Sequence, residues 1–361
     1  FIGISFVALS SSHVHAEGQH NISDLDQERE KIIISIKQGS PGQGLAQLKK
    51  LRYAFPNNQK LLADYLILSL QHHQFSEHDQ QLLRRIDGLS FPVYAQIPLV
   101  KALRDLKQFA TALEVLEKFN PKPAQIALKH IDIEILRAVL LAEDGQKQRA
   151  IIQLQRLNQV ALTTDKQNAK LINTDQVIQM AYANRIIGQP IYALSIIQNT
   201  LNNMPQAPAL QREYLNVLLA LGSHQQVLEL IQTQPALDPD HSFTEQALLG
   251  QFSEDIKDAI KNHKYLSRQG ETDAQSFKNL DQVLNGFKTL KLKFRQTSPL
   301  AQRLLYEYLY ALSYRGRHMD VLTVREQLGK PVHEMPAYVR HSIADAYLAT
   351  RQPKQAESVY L

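Results

Sequence analysis

The sequence contains no cysteine and no tryptophan. Without cysteine there are no disulfides, no thiolate metal ligands and no thiol nucleophile. Glycine is sparse, with 14 residues in 361, and runs of β-branched residues are rare, which argues against a strand-rich fold. The one evident run, Ile32-Ile33-Ile34, sits inside a charged, helix-like stretch. Past the first residues, no segment approaches the ~18 consecutive apolar residues of a membrane-spanning helix. P-loop, dinucleotide fingerprint, nucleophile elbow and kinase signature are all missing. Gly39-Ser40-Pro41-Gly42-Gln43-Gly44 comes nearest to a phosphate loop, but no Lys-Ser/Thr follows it and no strand precedes it. It reads as a turn between two helices. The formal net charge of +5 is not a basic block, because acidic residues are interspersed throughout. With no reading motif beside it, that charge does not predict a nucleic-acid partner.

What is present is a helix-forming composition with 44% apolar residues, ample for a core. The chain opens with Phe1-Ile2-Gly3-Ile4-Ser5-Phe6-Val7-Ala8-Leu9, then serines, then Val14-His15-Ala16 before Glu17. A short apolar run ahead of a small-residue site has the form of a secretory h-region and its cleavage point. Residues 1–16 are therefore expected to be a partial signal peptide and 17–25 a flexible N-terminus. No cysteine follows the cut, so lipoprotein processing is not expected.

One pattern recurs along the rest of the chain: an apolar helix, a turn, a small residue early in the next helix, and further apolar positions after it. The small positions are Ala112, Ala150, Ala193, Val227, Val321 and Ala356, and Gly145, Gly188, Gly222 and Gly316 mark four of the turns. Ala193 to Val227 spans 34 residues and Val321 to Ala356 spans 35, with 38 and 43 in the looser units. These bracket the period of about 34 residues of tetratricopeptide repeats. Twelve residues before each of five of these positions stand Ala138, Ala181, Leu215, Leu309 and Ala344, on the first helix of the pair. Pro56 and Pro205 follow second helices and stop them. The expected fold is all-α, a right-handed superhelical solenoid of tetratricopeptide-like helix-turn-helix repeats. Typical units cover about 95–235 and 300–361, and atypical ones 26–94 and 236–299. Within the latter, 243–267 and 273–294 read as long helices around a turn at Gly270. The array stops inside a second helix at Leu361 with no polar capping helix, so it is expected to continue beyond 361.

Catalysis is not supported. His-Glu-x-x-His is absent, and the pairs Glu143-Asp144 and Glu254-Asp255 are adjacent in sequence, so they diverge on a helix. His13, His15 and His20 flank the cleavage site, and His72, His73 and His78 fall in a polar turn. No metal or other cofactor is expected. In repeat arrays of this kind the first helices line the concave surface. Positions beside the reference small residue then select Tyr306 and Tyr310, with Tyr314 one turn on, and His341 and Asp345, with Tyr338 one turn earlier. Middle units offer Asp132, Asp175 and Tyr182 beside the cations Arg185 and Arg212. Tyrosines next to carboxylates suit a sugar polymer, whose apolar faces stack on rings while the carboxylates accept hydrogen bonds. Packing between repeats, or a peptide helix in the groove, would explain the same tyrosines.

The C-terminal run Met335-Pro336-Ala337-Tyr338-Val339-Arg340, with Ala344-Asp345-Ala346-Tyr347-Leu348 and Arg351-Gln352-Pro353-Lys354-Gln355-Ala356, resembles the poly-β-1,6-N-acetyl-D-glucosamine export porin family. The resemblance is clearest over 300–361 and generic before that. It implies the periplasmic repeat region of an outer-membrane protein, with a C-terminal outer-membrane barrel in the same chain. It also implies a partly de-N-acetylated amino-sugar polysaccharide as cargo and a periplasmic deacetylase or other export proteins as partners. Cellulose or alginate export scaffolds, and an envelope adaptor that binds proteins, remain open alternatives. A groove for a partly cationic glycan is expected to be acidic, and these units mix both signs.

Overall fold

A computed structural model describes residues 20–88, 90–119, 131–162 and 172–360. The expected signal peptide, 1–16, lies outside them. Helix follows helix: α1 (His20–Lys37), α2 (Pro41–Ala54), α3 (Gln59–Gln71), α4 (Glu77–Arg84), α5 (Val93–Asp105), α6 (Phe109–Phe119), α7 (Ile131–Glu143), α8 (Lys147–Leu162), α9 (Thr174–Ile186) and α10 (Pro190–Asn203). They continue as α11 (Pro208–Ala220), α12 (His224–Thr233), α13 (Ser242–Arg268), α14 (Asp273–Ser276), α15 (Lys278–Lys291), α16 (Pro299–Tyr314), α17 (His318–Glu326), α18 (Ala337–Ala349) and α19 (Pro353–Ser358). No strand occurs among the described residues. The all-α array of tetratricopeptide-like hairpins is what the repeats predicted. Contacts separate into two units, 1–157 and 158–361, the division falling within α8.

The hairpin turn has a fixed chemistry. Gly145, Gly188, Gly222 and Gly316 adopt positive φ of 76°, 83°, 73° and 79°, the left-handed conformation that ends a helix. The following amide then reaches back to the last turn: Gln146 N–H to the Leu141 carbonyl, Ser223 to Leu218 and Arg317 to Leu312, each at 2.9 Å. Lys107 and Arg351 take the same conformation at φ 59° and 60°, and Gln108 and Gln352 close the same bond. In every one of these turns the small residue comes five positions later. Ala112, Ala150, Ala193, Val227 and Val321 are fully buried, and Ala356 nearly so. Their first-helix counterparts Ala138, Ala181, Leu215, Leu309 and Ala344 are fully buried too. The left-handed residue sets where the chain turns back, and the small residue lets the returning helix approach.

The glycine-rich hexapeptide obeys the same rule. Gly39 has φ 107°, and Gly44, five residues on, is buried in α2 against α1. A Cβ on Gly44 would lie 2.3 Å from Ile36 Cγ1. Its glycines serve the first hairpin turn. α1 begins at His20, inside the 17–25 stretch expected to be flexible. Further along the helix, Asp26 forms ion pairs with Arg29 and Lys60.

In the first unit, Asp64 of α3 is buried and accepts hydrogen bonds from the Arg29 guanidinium of α1 and the Tyr94 hydroxyl of α5. Burial and the neighbouring Asp64 charge push the Tyr94 phenol up to about 12. Arg104 of α5 grips Glu143 of α7 through two bonds of 2.7 and 2.8 Å. In the second unit α13 runs for 27 residues, against 13 for α9, α11 and α18. It packs on α15 through Phe252, Ile256, Ala259 and Ile260. After α13 the chain turns at Gly270, φ 81°, as expected.

Replacing Gly44 with leucine should lower stability by about 1–3 kcal/mol through overpacking. Alanine there should cost less, because its better helix propensity offsets part of the clash. Denaturant titration of both variants checks the order. Equal stability of wild type and Gly44→Leu would show that the close approach is not required.

Candidate groove on the C-terminal helix row

Within the second unit the first helices of successive hairpins, α9, α11, α13, α16 and α18, lie side by side. Arg185 of α9 reaches Glu213 of α11 at 3.2 Å, and the Tyr338 hydroxyl of α18 donates to Glu307 Oε1 of α16 at 3.2 Å. Charge pairs and phenols thus bridge neighbouring helices while the apolar side packs.

The structure sorts the candidate residues. Tyr310 and Tyr338 come together edge to face, ring centroids 6.0 Å apart, with Glu307 beside them. Burial, then the Glu307 charge and hydrogen bond, hold the Tyr338 phenol above its ordinary range, so it stays a donor. Tyr306 is only 8% exposed, with its hydroxyl accepting from Gln302 Nε2 at 2.9 Å, and so belongs to the core. Tyr314 stands edge-on to His263 and Phe277, at 5.7 and 6.2 Å, and burial raises its phenol. The stripe Tyr306–Tyr310–Tyr314 therefore splits: two rings pack and the middle one faces its neighbour helix. His341 is exposed and meets the Tyr360 hydroxyl at 3.0 Å, and Asp345 is exposed one turn on. Asp175 is exposed in the first turn of α9, and Tyr182 lies 5.4 Å below the Arg185 guanidinium. Asp132, exposed on α7, is in the first unit.

Between α13 and α16 lies an open trough. α13 contributes Ser253, Lys257, Lys261 and Lys264, and α16 contributes Arg303, Glu307 and Tyr310. At one end Arg295 is fixed by Glu245, which is fully buried. That carboxylate accepts from the Arg295 backbone amide at 2.8 Å, from its guanidinium at 3.0 and 3.2 Å, and from Ser298 Oγ at 2.5 Å. Burial raises the Glu245 pKa, but the Arg295 and Ser298 hydrogen bonds outweigh it and hold it below the ordinary range. The trough is thus chiefly basic. Sequence reasoning missed Arg303, Glu307 and the α13 lysines. Arg303 stands six residues before Leu309, as Tyr338 does before Ala344, so the same step backward would have found it. The lysines had no such signal, because the α13–α15 hairpin lacks the reference small residue. Among the described residues, no three His, Asp or Glu side chains are grouped to hold a metal ion, and no helix is long and apolar enough to cross a membrane.

Over 334 residues, 91% of this chain, the sequence is 22% identical to the poly-beta-1,6-N-acetyl-D-glucosamine export protein of Escherichia coli (strain K12) and equally to that of Escherichia coli O157:H7. The resemblance seen at the C-terminus therefore extends along most of the chain. The chain spans about 37% of the length of those curated relatives. No family model matches it. A tetratricopeptide repeat protein from Parabacteroides merdae ATCC 43184 is similar in structure, with a TM-score of 0.46 and 12% identity, covering 80% of this chain and 99% of that one.

Glu245→Ala should destabilise the second unit by about 1–3 kcal/mol, since it strips partners from Ser298 and the Arg295 amide. Because the folded-state pKa is depressed, this stabilisation is present above the unfolded carboxylate pKa and is lost as pH falls through the folded value. Melting temperature against pH should therefore fall less steeply in acid for Glu245→Gln than for wild type. Parallel curves would refute the linkage.

Proposed function

We propose that this chain is the periplasmic repeat region of an outer-membrane exopolysaccharide exporter. In this reading its C-terminal helix row guides partly de-N-acetylated poly-N-acetylglucosamine toward the pore and offers docking surface to a periplasmic deacetylase or other export proteins. The observation that carries it is the sequence relationship to the export proteins over nearly the whole chain. The cleft of Tyr310, Tyr338 and Glu307, with Asp345 exposed on the same row, supports the glycan contact. Two phenol rings set edge to face leave one ring face for the apolar side of a hexosamine. Glu307 and Asp345 offer acceptors to its hydroxyls or to a free amine.

The basic trough beside the cleft narrows the path. Lys257 and Lys261 on the α13 wall repel a glucosamine ammonium, so the cargo keeps to the α16–α18 side, where Glu307 and Asp345 are.

Calorimetric titration with β-1,6-linked oligomers of mixed glucosamine and N-acetylglucosamine tests this reading. Tyr310→Ala and Tyr338→Ala should each weaken binding by roughly threefold to tenfold, the worth of an aromatic contact, and Asp345→Asn should weaken the partly deacetylated oligomers more than the fully acetylated ones. Failure of the wild-type chain to bind any partly deacetylated oligomer would remove the glycan-contact role.

A further inference from the structure

The C-terminal half of α13 carries a stripe that neither the fold nor the glycan cleft uses. Lys257, Lys261, Lys264 and Arg268 follow one another at helical spacing on one face, all exposed, and all four line a cavity of about 570 Å³ together with Tyr265, Ile260 and Tyr310. Among the described residues, none of the four forms an ion pair. The carboxylates near them are few. Glu307 across the trough accepts from Tyr338, Glu254 faces His224 at 3.5 Å, Asp258 stands about a quarter turn off the stripe, and Asp255 lies nearly opposite it. Beyond Asp258, α13 contains no acidic residue. Tyr265, 62% exposed, stands within the stripe, and Ile256 and Ile260 beneath it are buried in the core.

We infer that this stripe docks an acidic polypeptide segment of a partner protein, bound in extended conformation along α13. The spacing favours it. Lys257 to Lys261 and Lys264 to Arg268 are each about 6 Å apart along the axis, at 1.5 Å per residue. Side chains on one face of an extended chain recur at about 6.6 Å. Carboxylates on the face of such a segment turned toward α13 therefore match the Lys257–Lys261 and Lys264–Arg268 steps, the step between Lys261 and Lys264 being shorter at about 4.5 Å, and the exposed Tyr265 offers a ring to pack on. A flat anionic surface would engage the cations but leave the cavity between α13 and α16 unfilled. The inference stands independently of the glycan cleft, because it rests on residues that a cationic polymer avoids.

The test is fluorescence anisotropy of the full chain with a labelled peptide of alternating glutamate and leucine, and with its lysine–leucine counterpart. The acidic peptide should bind and the basic one should not, with affinity falling as salt is raised. The double variant Lys261→Glu/Lys264→Glu, at exposed positions, should lose about tenfold or more in affinity, whereas Lys278→Glu/Lys288→Glu on α15 should lose little. Thermal melts of both variants check that the fold is intact. No preference for the acidic peptide, or equal losses in the two double variants, would overturn the inference. So would phosphatidylglycerol vesicles that bind the chain and displace the peptide, which would assign the stripe to a membrane surface.

Discussion

Everything in this array depends on how closely two helices of a hairpin can approach. A left-handed residue ends the first helix, and five residues later the second helix presents alanine, valine or glycine to its partner. Where that sequence of events occurs, the hairpin forms with the same backbone hydrogen bond, whether the turning residue is Gly188 or Lys107. The constraint is steric and local, so it survives wide divergence elsewhere. It explains how units with different insert lengths keep one architecture.

That locality is why the fold was legible. The small positions from Ala112 to Ala356, their counterparts from Ala138 to Ala344, and the turn at Gly270 were all identified from spacing and found where expected. Gly39–Gly44 shows the same logic in its most crowded form, with the Ile36 side chain against the site where a Cβ would be. The ion pair of Asp26 with Lys60 was not legible, because it joins residues far apart in sequence.

The candidate site was legible only in part. Periodicity named the face of α16 and α18, but whether a tyrosine on that face is free or packed depends on the adjacent hairpin. Tyr314 is taken up by His263 and Phe277, which belong to α13 and to the residue between α14 and α15, and Tyr306 is buried. Tyr310 meets Tyr338 instead. Glu307 escaped notice for a related reason: its role comes from the hydroxyl of Tyr338, 31 residues away. The sign of the trough was beyond reach from sequence, since its lysines come from a helix that departs from the repeat.

The length of α13 has a further consequence. At about 1.5 Å per residue its 27 residues extend for roughly 40 Å, about twice the span of an ordinary first helix here. A row of equivalent units offers a chain-like ligand the same contacts after every step, and such a ligand has no reason to stop at one phase over another. A single overlong hairpin abolishes that translational degeneracy. A polymer guided along this row, as proposed, would thereby be given an origin from which its position is counted.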